Sequence, residues 1–396
     1  MGNNPTGFKV TDAAAGWSCT DVEDIFVRKD CFLEGGLWLW GFNGNGEIGD
    51  NGTVQKSSPV QTFSGGTNWK SVNLGRYHSS AIKTDGTLWL WGYGGNGQLG
   101  RNNITSFLGP VETVSGGTDW KSSSLGRNHS VAIKTDGTLW VWGAGANGRL
   151  GTNNVIDRSS PVQTVSGGTN WKIISTGLYN NSAIKTDGTL WVWGFNGPEG
   201  RLGTNDAIAR SSPVQTVSGG TNWRSVSNAA AHTAAIKTDG TLWLWGLGGN
   251  GRLGTNDIIS RSSPVQTVSG GTNWRSVALS LSHTAAIKTD GTLWTWGLGS
   301  FGRLGTNDII DRSSPVQTIS GGTNWRSLST STEGAHTTAI KTDGTLWLWG
   351  ININGHLGTN NAIDRSSPVQ TVSGGTNWRT VSTGTDHTGG IREDCW

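Results

Sequence analysis

The pattern of apolar and polar positions in residues 274–320 predicts four short β-strands. Apolar or β-branched residues concentrate in four stretches that are separated by Gly, Asn, Asp and Ser. Asp290 and Gly291 form a hairpin turn pair between the second and third stretches, so we expect those two strands to pair antiparallel. The four predicted strands are 274–278, 284–287, 292–296 and 315–319.

This unit recurs seven times along the chain. The motif Trp-x-Trp-Gly has its first Trp at positions 38, 89, 140, 191, 243, 294 and 347. The motif Ser-Gly-Gly-Thr-x-Trp follows the same period and ends at Trp69, Trp120, Trp171, Trp223, Trp274, Trp325 and Trp378. A long repeat with four strands per unit is typical of a propeller blade. The chain is therefore predicted to be an all-β, seven-bladed β-propeller with four antiparallel strands per blade.

The third strand of the unit has no polar side. In one copy it reads Leu88-Trp89-Leu90-Trp91, so both of its faces carry large apolar groups. Such a strand must be covered on both sides, and in a propeller the neighbouring blades provide that cover. We expect the repeated tryptophans to serve mainly in packing between blades.

Composition and charge narrow the classes of function. The 396 residues include 63 Gly and 23 Trp, which suits short strands joined by tight turns and disfavours helices. The formal net charge is +3 and no block of Lys or Arg is present, so nucleic-acid binding is not favoured. No stretch has the length and apolarity of a transmembrane helix, and residues 1–16 lack a signal-peptide pattern. We expect no membrane insertion and no secretory export.

The ordered motifs resemble the repeat of the regulator of chromosome condensation family. Trp-Gly is followed by Gly-x-Leu-Gly in residues 91–100 and 142–151, then by Arg-Ser-Ser-Pro-Val, and Gly-x-x-His occupies residues 75–78 and 126–129. The resemblance covers residues 17–396, and the nearly duplicated Trp-rich repeats are similar to those of bacterial and phage members. It implies a seven-bladed ring but no particular function, because one fold hosts many functions.

Both ends of the chain contain parts of the repeat that are predicted to form one blade. Residues 17–31 are a degenerate copy of part of the repeat. We expect residues 378–391 to complete the blade that residues 36–62 begin, because ring closure removes the exposed sheet edges. Residues 1–16 are then an N-terminal arm outside the propeller domain, which runs over 17–396.

Cysteines are also placed near the two ends. Cys31 and Cys395 occupy matching positions in similar short motifs. They form either a closing disulfide or two free thiols, and the absence of a signal-peptide pattern favours free thiols.

Repeated polar residues are predicted to serve the fold. Six histidines share one repeat position, one per blade, and Asn180 takes the seventh place. Metal ligands must converge, so this distribution predicts a structural role and no metal site. The arginine before Ser-Ser-Pro is expected to hold carbonyls or carboxylates of an adjacent blade. The histidines are His78, His129, His232, His283, His336 and His387, and the arginines are Arg158, Arg210, Arg261, Arg312 and Arg365.

The loops of a propeller emerge on two faces, and the repeats differ on only one of them. Loops after the second strand and links between blades repeat Thr-Asp-Gly and Ser-Gly-Gly-Thr, which is turn chemistry. Loops after the first and third strands vary and hold aromatic and arginine residues, which are enriched in binding hot spots. Any one aromatic has the alternative of packing on a neighbouring blade. The predicted binding residues are Phe42, Arg76, Tyr77, Tyr93, Phe107, Arg127, Tyr179, Phe195, Phe301, Glu333 and Ile351.

These features predict a binding protein and not an enzyme. The sequence contains no Ser/His/Asp set, no paired carboxylates outside turns and no phosphate-binding loop before a helix, and no cofactor is expected. We expect a virion surface or tail component, within a larger assembly, that binds a protein or a cell-surface glycan of the host or another virion protein. The alternative is a cytoplasmic adaptor. Guanine nucleotide exchange and chromatin binding are less favoured because the loops are nearly uniform and carry no dedicated insertion.

Overall fold

The computed structural model describes residues 35–393, which form a seven-bladed β-propeller. Seven four-stranded antiparallel sheets surround a central channel, which confirms the predicted fold class. The predicted arm 1–16, the degenerate copy 17–31 and the Cys31–Cys395 pair involve residues outside the described range. They stay predictions.

The described chain contains 28 strands and three short 3₁₀ turns. The 3₁₀ turns are Ala146–Gly148, Gly249–Gly251 and Ser300–Gly302. The strands are β1 (Gly35–Gly41), β2 (Lys56–Gln61), β3 (Trp69–Leu74), β4 (His78–Lys83), β5 (Leu88–Gly92), β6 (Phe107–Glu112), β7 (Trp120–Leu125), β8 (His129–Lys134), β9 (Leu139–Gly143), β10 (Arg158–Gln163), β11 (Trp171–Thr176), β12 (Asn180–Lys185), β13 (Leu190–Gly194), β14 (Arg210–Gln215), β15 (Trp223–Asn228), β16 (His232–Lys237), β17 (Leu242–Gly246), β18 (Arg261–Gln266), β19 (Trp274–Leu279), β20 (His283–Lys288), β21 (Leu293–Gly297), β22 (Arg312–Gln317), β23 (Trp325–Thr330), β24 (His336–Lys341), β25 (Leu346–Gly350), β26 (Arg365–Gln370), β27 (Trp378–Thr383) and β28 (His387–Glu393).

Each blade has an inner strand at the channel, then a second, a third and an outer strand. Blades 2 to 7 use four consecutive strands, from β3–β6 in blade 2 to β23–β26 in blade 7. Blade 1 is built from both ends of the described chain, in the order β27, β28, β1 and β2. Strands β1 and β28 pair antiparallel from Gly35 opposite Glu393 to Gly41 opposite His387. The predicted ring closure is therefore confirmed.

Outer strands begin earlier than the apolar pattern suggests. The prediction of 315–319 in blade 6 compares with Arg312–Gln317 for β22. Arg312 pairs with Gly297 across an irregularity in the register, and Val316 pairs with Thr295. A polar residue can begin the outer strand because this strand is only partly buried. The apolar pattern therefore does not show where the strand begins.

Tryptophans pack between the blades, as predicted. The second Trp of each Trp-x-Trp-Gly motif is fully buried, and its indole N–H donates to a carbonyl in the preceding blade. In one example Trp296 Nε1 donates to Arg252 O at 2.9 Å. The first Trp is half-buried, and a cation of the second strand lies over it, which is a lysine in blades 2 to 7 and Arg392 in blade 1. The Lys288 ammonium lies 4.2 Å from the Trp294 ring and 4.9 Å from the Trp274 ring.

The repeated arginines behave differently from the prediction. Three of the five arginines before Ser-Ser-Pro pair with an aspartate of their own blade, as Arg261 does with Asp257 at 2.7 Å. The adjacent blade is instead held by the arginine after the inner-strand Trp, since Arg275 donates to Trp325 O at 2.5 Å. For Arg210, Arg261 and Arg312 the prediction was wrong, because an aspartate four residues earlier lies closer than the next blade.

Candidate functional site

Backbone hydrogen bonds define two faces of the ring. Tyr93 N donates to Tyr77 O at 2.8 Å, so the loops after the inner and third strands meet on one side, which we call the variable face. Thr84 N donates to Asn68 O at 2.8 Å, so the turn after the second strand meets the link between blades on the other side, the repeat face. The other six blades repeat the variable-face bond, in the pairs Phe42–Asp386, Ala144–Asn128, Phe195–Tyr179, Leu247–Ala231, Leu298–Ser282 and Ile351–Ala335.

A groove opens on the variable face over blades 1 to 3. It encloses about 310 Å³ and is lined by Asn45, Tyr77, Tyr93, Asn96, Arg127 and Asn128. We call it the Tyr77 groove. Three of its residues, Tyr77, Tyr93 and Arg127, belong to the predicted binding set, and the three asparagines do not.

The aromatic rings of the groove are held in fixed positions. The Tyr77 and Tyr93 rings lie 6.2 Å apart at 71°, an edge-to-face arrangement. The guanidinium groups of Arg76 and Arg127 lie 4.8 and 6.0 Å from the Tyr77 ring. Arg127 also donates to Tyr179 Oη at 2.6 Å. The groove therefore presents two ordered aromatic rings beside a cation.

Polar groups of the groove keep free hydrogen-bonding capacity. Within residues 35–393, Asn128 Oδ1 is buried and has no hydrogen-bond partner. The nearby Gln98 side chain is fully buried, and its Nε2 also lacks a partner in the described part of the chain. Buried polar atoms without partners are costly, so Asn128, which lines the groove, offers an acceptor to a ligand, whereas Gln98 does not line the groove.

A loop of blade 7 crosses the channel mouth on the variable face. Trp325 and His336 are eleven residues apart, whereas the matching pair Trp69 and His78 is nine apart, so this loop is two residues longer than its counterparts. Thr332 O accepts the N–H of Ala230 in blade 5 at 3.2 Å. Burial raises the pKa of the Glu333 carboxyl, while Arg76 and Arg127 act in the opposite direction.

Glu333 connects this loop to the groove. Its carboxylate accepts a hydrogen bond from Arg76 of blade 2 and forms an ion pair with it. The loop has room because Ala229, Ala230 and Ala231 in blade 5 are small and buried. It thus contacts blades 2 and 5 across the ring.

The channel is polar, and its side chains form hydrogen bonds between neighbouring blades. Ser, Thr and Asn of the inner strands line it, and it encloses about 160 Å³. Ser124 Oγ accepts the Thr176 N–H at 3.1 Å, and Ser175 Oγ accepts the Asn228 N–H at 2.9 Å. These hydroxyls satisfy backbone donors along the open edges of the inner strands.

The remaining predicted binding residues are dispersed. Tyr179 and Phe195 pack edge-to-face at 6.3 Å beside the groove. Phe301 is 51% exposed on blade 6, at a left-handed backbone position with φ of 59°. Phe107 is the first residue of β6 and not a loop residue, and it packs on the core between blades 2 and 3. Phe42 and Ile351 are half-buried in loops after third strands.

Sequence reasoning missed four arginines of the variable face. They occupy the variable position of Gly-x-Leu-Gly in four consecutive blades, where blades 1, 2 and 7 have Glu47, Gln98 and His356. The signal was present, because this position changes charge while its neighbours do not. We call the four residues the arginine arc, and they are Arg149, Arg201, Arg252 and Arg303.

The repeated histidines are buried and lie one per blade. Burial lowers the pKa of His78, His129 and His387 to about 3, so these rings are neutral. Within residues 35–393, no three His, Cys, Asp or Glu side chains are grouped as metal ligands. No helix in the same part of the chain has the length and apolarity to span a membrane.

A family model for the regulator of chromosome condensation (RCC1) repeat matches most of the chain. The matched residues are 34–82, 85–133, 136–180, 239–287, 290–340 and 343–391. The chain belongs to the RCC1 repeat family. A second RCC1 repeat model matches residues 121–149 and 274–303.

Curated relatives share the repeats at moderate identity. The chain is 29% identical over 345 residues to the ultraviolet-B receptor UVR8 of Arabidopsis thaliana, covering 83% of this chain and 76% of that protein. It is 28% identical over 367 residues to the E3 ubiquitin-protein ligase HERC2 of Homo sapiens, covering 86% of this chain but only 7% of that protein. It is 29% identical to the mitochondrial RCC1 domain-containing protein RUG3 of Arabidopsis thaliana, over 70% of this chain and 64% of that one.

Solved structures show the same fold. Human WBSCR16 matches with a TM-score of 0.80 and 19% identity, over 91% of this chain and 100% of that one. Prp20p of Saccharomyces cerevisiae, whose structure is reported with its binding properties to Gsp1p and histones, matches with a TM-score of 0.79 and 16% identity, over 92% and 93%. At these identities the likeness concerns the fold alone.

Proposed function

We propose that this RCC1-repeat protein is a non-enzymatic binding propeller that recognises a protein partner through its variable face. The observation that carries the proposal is the Tyr77 groove. It combines two ordered tyrosine rings, a cation at Arg127 and the unpaired amide oxygen of Asn128 on the face where the repeats differ. Tyr and Arg in ordered, partly buried surroundings are the residues that most often dominate binding energy.

The relatives support a role in protein interaction at the level of the family. Prp20p is reported with binding properties to Gsp1p and histones, and yeast RCC1 (Prp20) has been crystallised with Kap60. These partners are not assigned to the present chain, because a shared fold does not imply a shared ligand.

A cell-surface glycan is the second candidate occupant of the groove. Asn45, Asn96 and Asn128 place amide donors and acceptors beside the flat Tyr93 ring, which is 36% exposed. Amides and an exposed ring together suit sugar hydroxyls and the apolar face of a sugar. A glycan array probed with the full chain distinguishes this occupant from a peptide.

We further propose that the chain is a virion surface or tail component, with a cytoplasmic adaptor as the alternative. The near duplication of the repeats and their divergence in variable-face loops support attachment to a changing partner. Mass spectrometry of purified virus particles tests the location. Absence of the protein from particles removes the virion proposal and leaves the binding proposal intact.

Selection of a displayed random-peptide library against the immobilised full chain tests the binding face. We expect the selected peptides to lose at least tenfold in affinity for Tyr77→Ala and Tyr93→Ala, and to retain affinity for Phe63→Ala, an exposed aromatic in a link between blades. Phe195→Ala and Phe301→Ala report how far the surface extends beyond the groove. Peptides that ignore all four variable-face changes but lose affinity for Phe63→Ala would place the binding surface on the repeat face.

A further inference from the structure

The arginine arc places one cation at the same loop position in each of four consecutive blades, on one half of the variable face. Arg149, Arg252 and Arg303 are only 4 to 5% exposed, and Arg201 is half-buried. Burial lowers the pKa of Arg252 to about 10, and the nearby Arg303 and Arg201 add to that shift. The guanidinium groups of Arg149, Arg252 and Arg303 are each tied to their own loop, since Nε donates to the carbonyl three residues earlier at 2.8 to 2.9 Å, but like charges in a poorly solvated position still oppose folding.

Three of these arginines have no carboxylate partner. Within residues 35–393, no carboxylate oxygen lies within 4.0 Å of the side-chain nitrogens of Arg149, Arg252 or Arg303. The carboxylates of Asp157 and Asp311 accept backbone N–H groups of Gly145 and Gly299, and they act on Arg149 and Arg303 only beyond ion-pair distance.

The fourth arginine is paired with a glutamate of its own loop. Arg201 forms an ion pair with Glu199 at 3.1 Å. Glu199 belongs to the loop after β13, which is one residue longer than its counterparts. Within the described residues, the arc therefore contains three arginines without an ion pair and one, Arg201, with an ion pair.

The structural duty of this repeat position does not require a positive charge. In every blade its carbonyl accepts the indole N–H of the next blade, as in Trp91 to Glu47 O and Trp142 to Gln98 O, both at 2.8 Å. Glu47 and Gln98 perform that duty without a cation. Arg201 and Arg252 also donate to Ala230 O and Leu281 O. A side-chain amide is a neutral group that also donates hydrogen bonds to carbonyls.

We propose that the arginine arc binds a run of carboxylate side chains on a partner protein, that is, an acidic peptide segment. The inference rests on the proposed function in that it places the partner on the variable face, and it adds the chemistry of that partner. Guanidinium forks match carboxylates in geometry. A peptide is favoured over nucleic acid because the net charge is +3 and a phosphate backbone needs a broad cationic surface.

A labelled peptide of eight glutamates tests the proposal with the full chain. We expect binding by fluorescence anisotropy at 50 mM salt and weaker binding at 200 mM. The triple variant Arg149→Gln, Arg252→Gln and Arg303→Gln, which copies the natural Gln98, should weaken binding at least tenfold. Glu199→Gln frees Arg201 and should tighten binding severalfold, an effect that general disruption of the loops would not produce.

A control variant separates a failure of the Tyr77 groove from a failure of the arginine arc. Tyr93→Ala should leave the glutamate peptide unaffected, so a failure of the groove and a failure of the arc are separable. If the triple variant does not fold, each single Gln variant should still weaken binding two- to threefold. No binding by the wild type at 50 mM salt, or equal binding by the Gln variants, overturns the proposal. An oligothymidylate of equal charge that binds through the same arginines as tightly as the peptide also overturns it.

Discussion

His129 Nε2 lies 2.8 Å from the side-chain oxygen of Asn181, in the neighbouring blade. The same contact joins the other repeated histidines to a hydroxyl group in the next blade. Together these bonds form a buried belt that connects six of the seven blade interfaces. The other pairs are His78–Ser130, His232–Thr284, His283–Thr337, His336–Thr388 and His387–Ser79.

The histidine belt predicts that the fold loses stability as the pH falls below about 6.5. Burial lowers the folded-state pKa of His129 to about 3, so only the unfolded state takes up its proton between pH 6.5 and 3. Each such histidine costs about 1.4 kcal/mol of unfolding free energy per pH unit in that range. Glu47, Glu333 and Asp386 have raised pKa values and act in the opposite direction near pH 5, but they are fewer.

Urea unfolding at pH 7.5, 6.5 and 5.5 measures this dependence. His129→Asn copies the natural Asn180 of blade 4 and should reduce the slope of unfolding free energy against pH by one proton. A variant with an unchanged slope would show that His129 is not neutral in the fold.

The two tryptophans of one motif should differ in their contribution to stability. Trp142 is fully buried and donates to Gln98 O of the preceding blade at 2.8 Å, whereas Trp140 is half-buried and donates to Thr138 of its own blade. We expect Trp142→Phe to cost about 2 kcal/mol and Trp140→Phe less than about 1 kcal/mol in denaturant unfolding. Equal losses would argue against the indole bond as a joint between blades.

Ring closure should be necessary for cooperative unfolding. Deletion of residues 380–396 removes β28, which pairs with β1 along its whole length, and leaves an open sheet edge. We expect the truncated chain to lose its single sharp thermal transition. Deletion of 394–396 alone, which leaves β28 intact, serves as the control. A normal transition in the longer deletion would contradict the closure of blade 1 by both ends.

The Arg76–Glu333 pair should hold the loop of blade 7 across the channel mouth. Removal of the carboxylate in Glu333→Ala leaves Arg76 without its partner and frees Thr332 from its place. We expect the Ala230 amide, which donates to Thr332 O, to exchange with deuterium at least about tenfold faster. Glu112→Ala in an outer strand is the control. Unchanged protection of Ala230 would mean that the backbone bond alone holds the loop.

The sequence predicted the features that are repeated and missed those that depend on distant pairs. Seven copies of Trp-x-Trp-Gly predict seven blades, and the antiparallel order of strands places Tyr77 and Tyr93 on one face. The Arg76–Glu333 contact joins residues 257 positions apart across the ring, and no repeat pattern specifies it. The arginine arc was missed because Arg149 and its counterparts lie inside a motif that otherwise reads as turn chemistry.

Errors at the level of single residues have a similar cause. Phe107 stands where blades 3 to 7 have the arginine before Ser-Ser-Pro, so it belongs to an outer strand and not to a variable loop. Arg261 pairs within its blade because Asp257 is available, whereas Arg158 has Asn154 at the same distance and forms no ion pair within residues 35–393.

The most direct test of the variable face as the binding surface is site-specific photo-crosslinking. Benzoylphenylalanine is placed in the full chain either at position 93, in the Tyr77 groove, or at position 63, an aromatic that is 71% exposed in a link between blades. Irradiation in the cells or particles that contain the protein should give a discrete protein adduct from position 93 and none from position 63. An adduct from position 63 with none from position 93 would contradict the account.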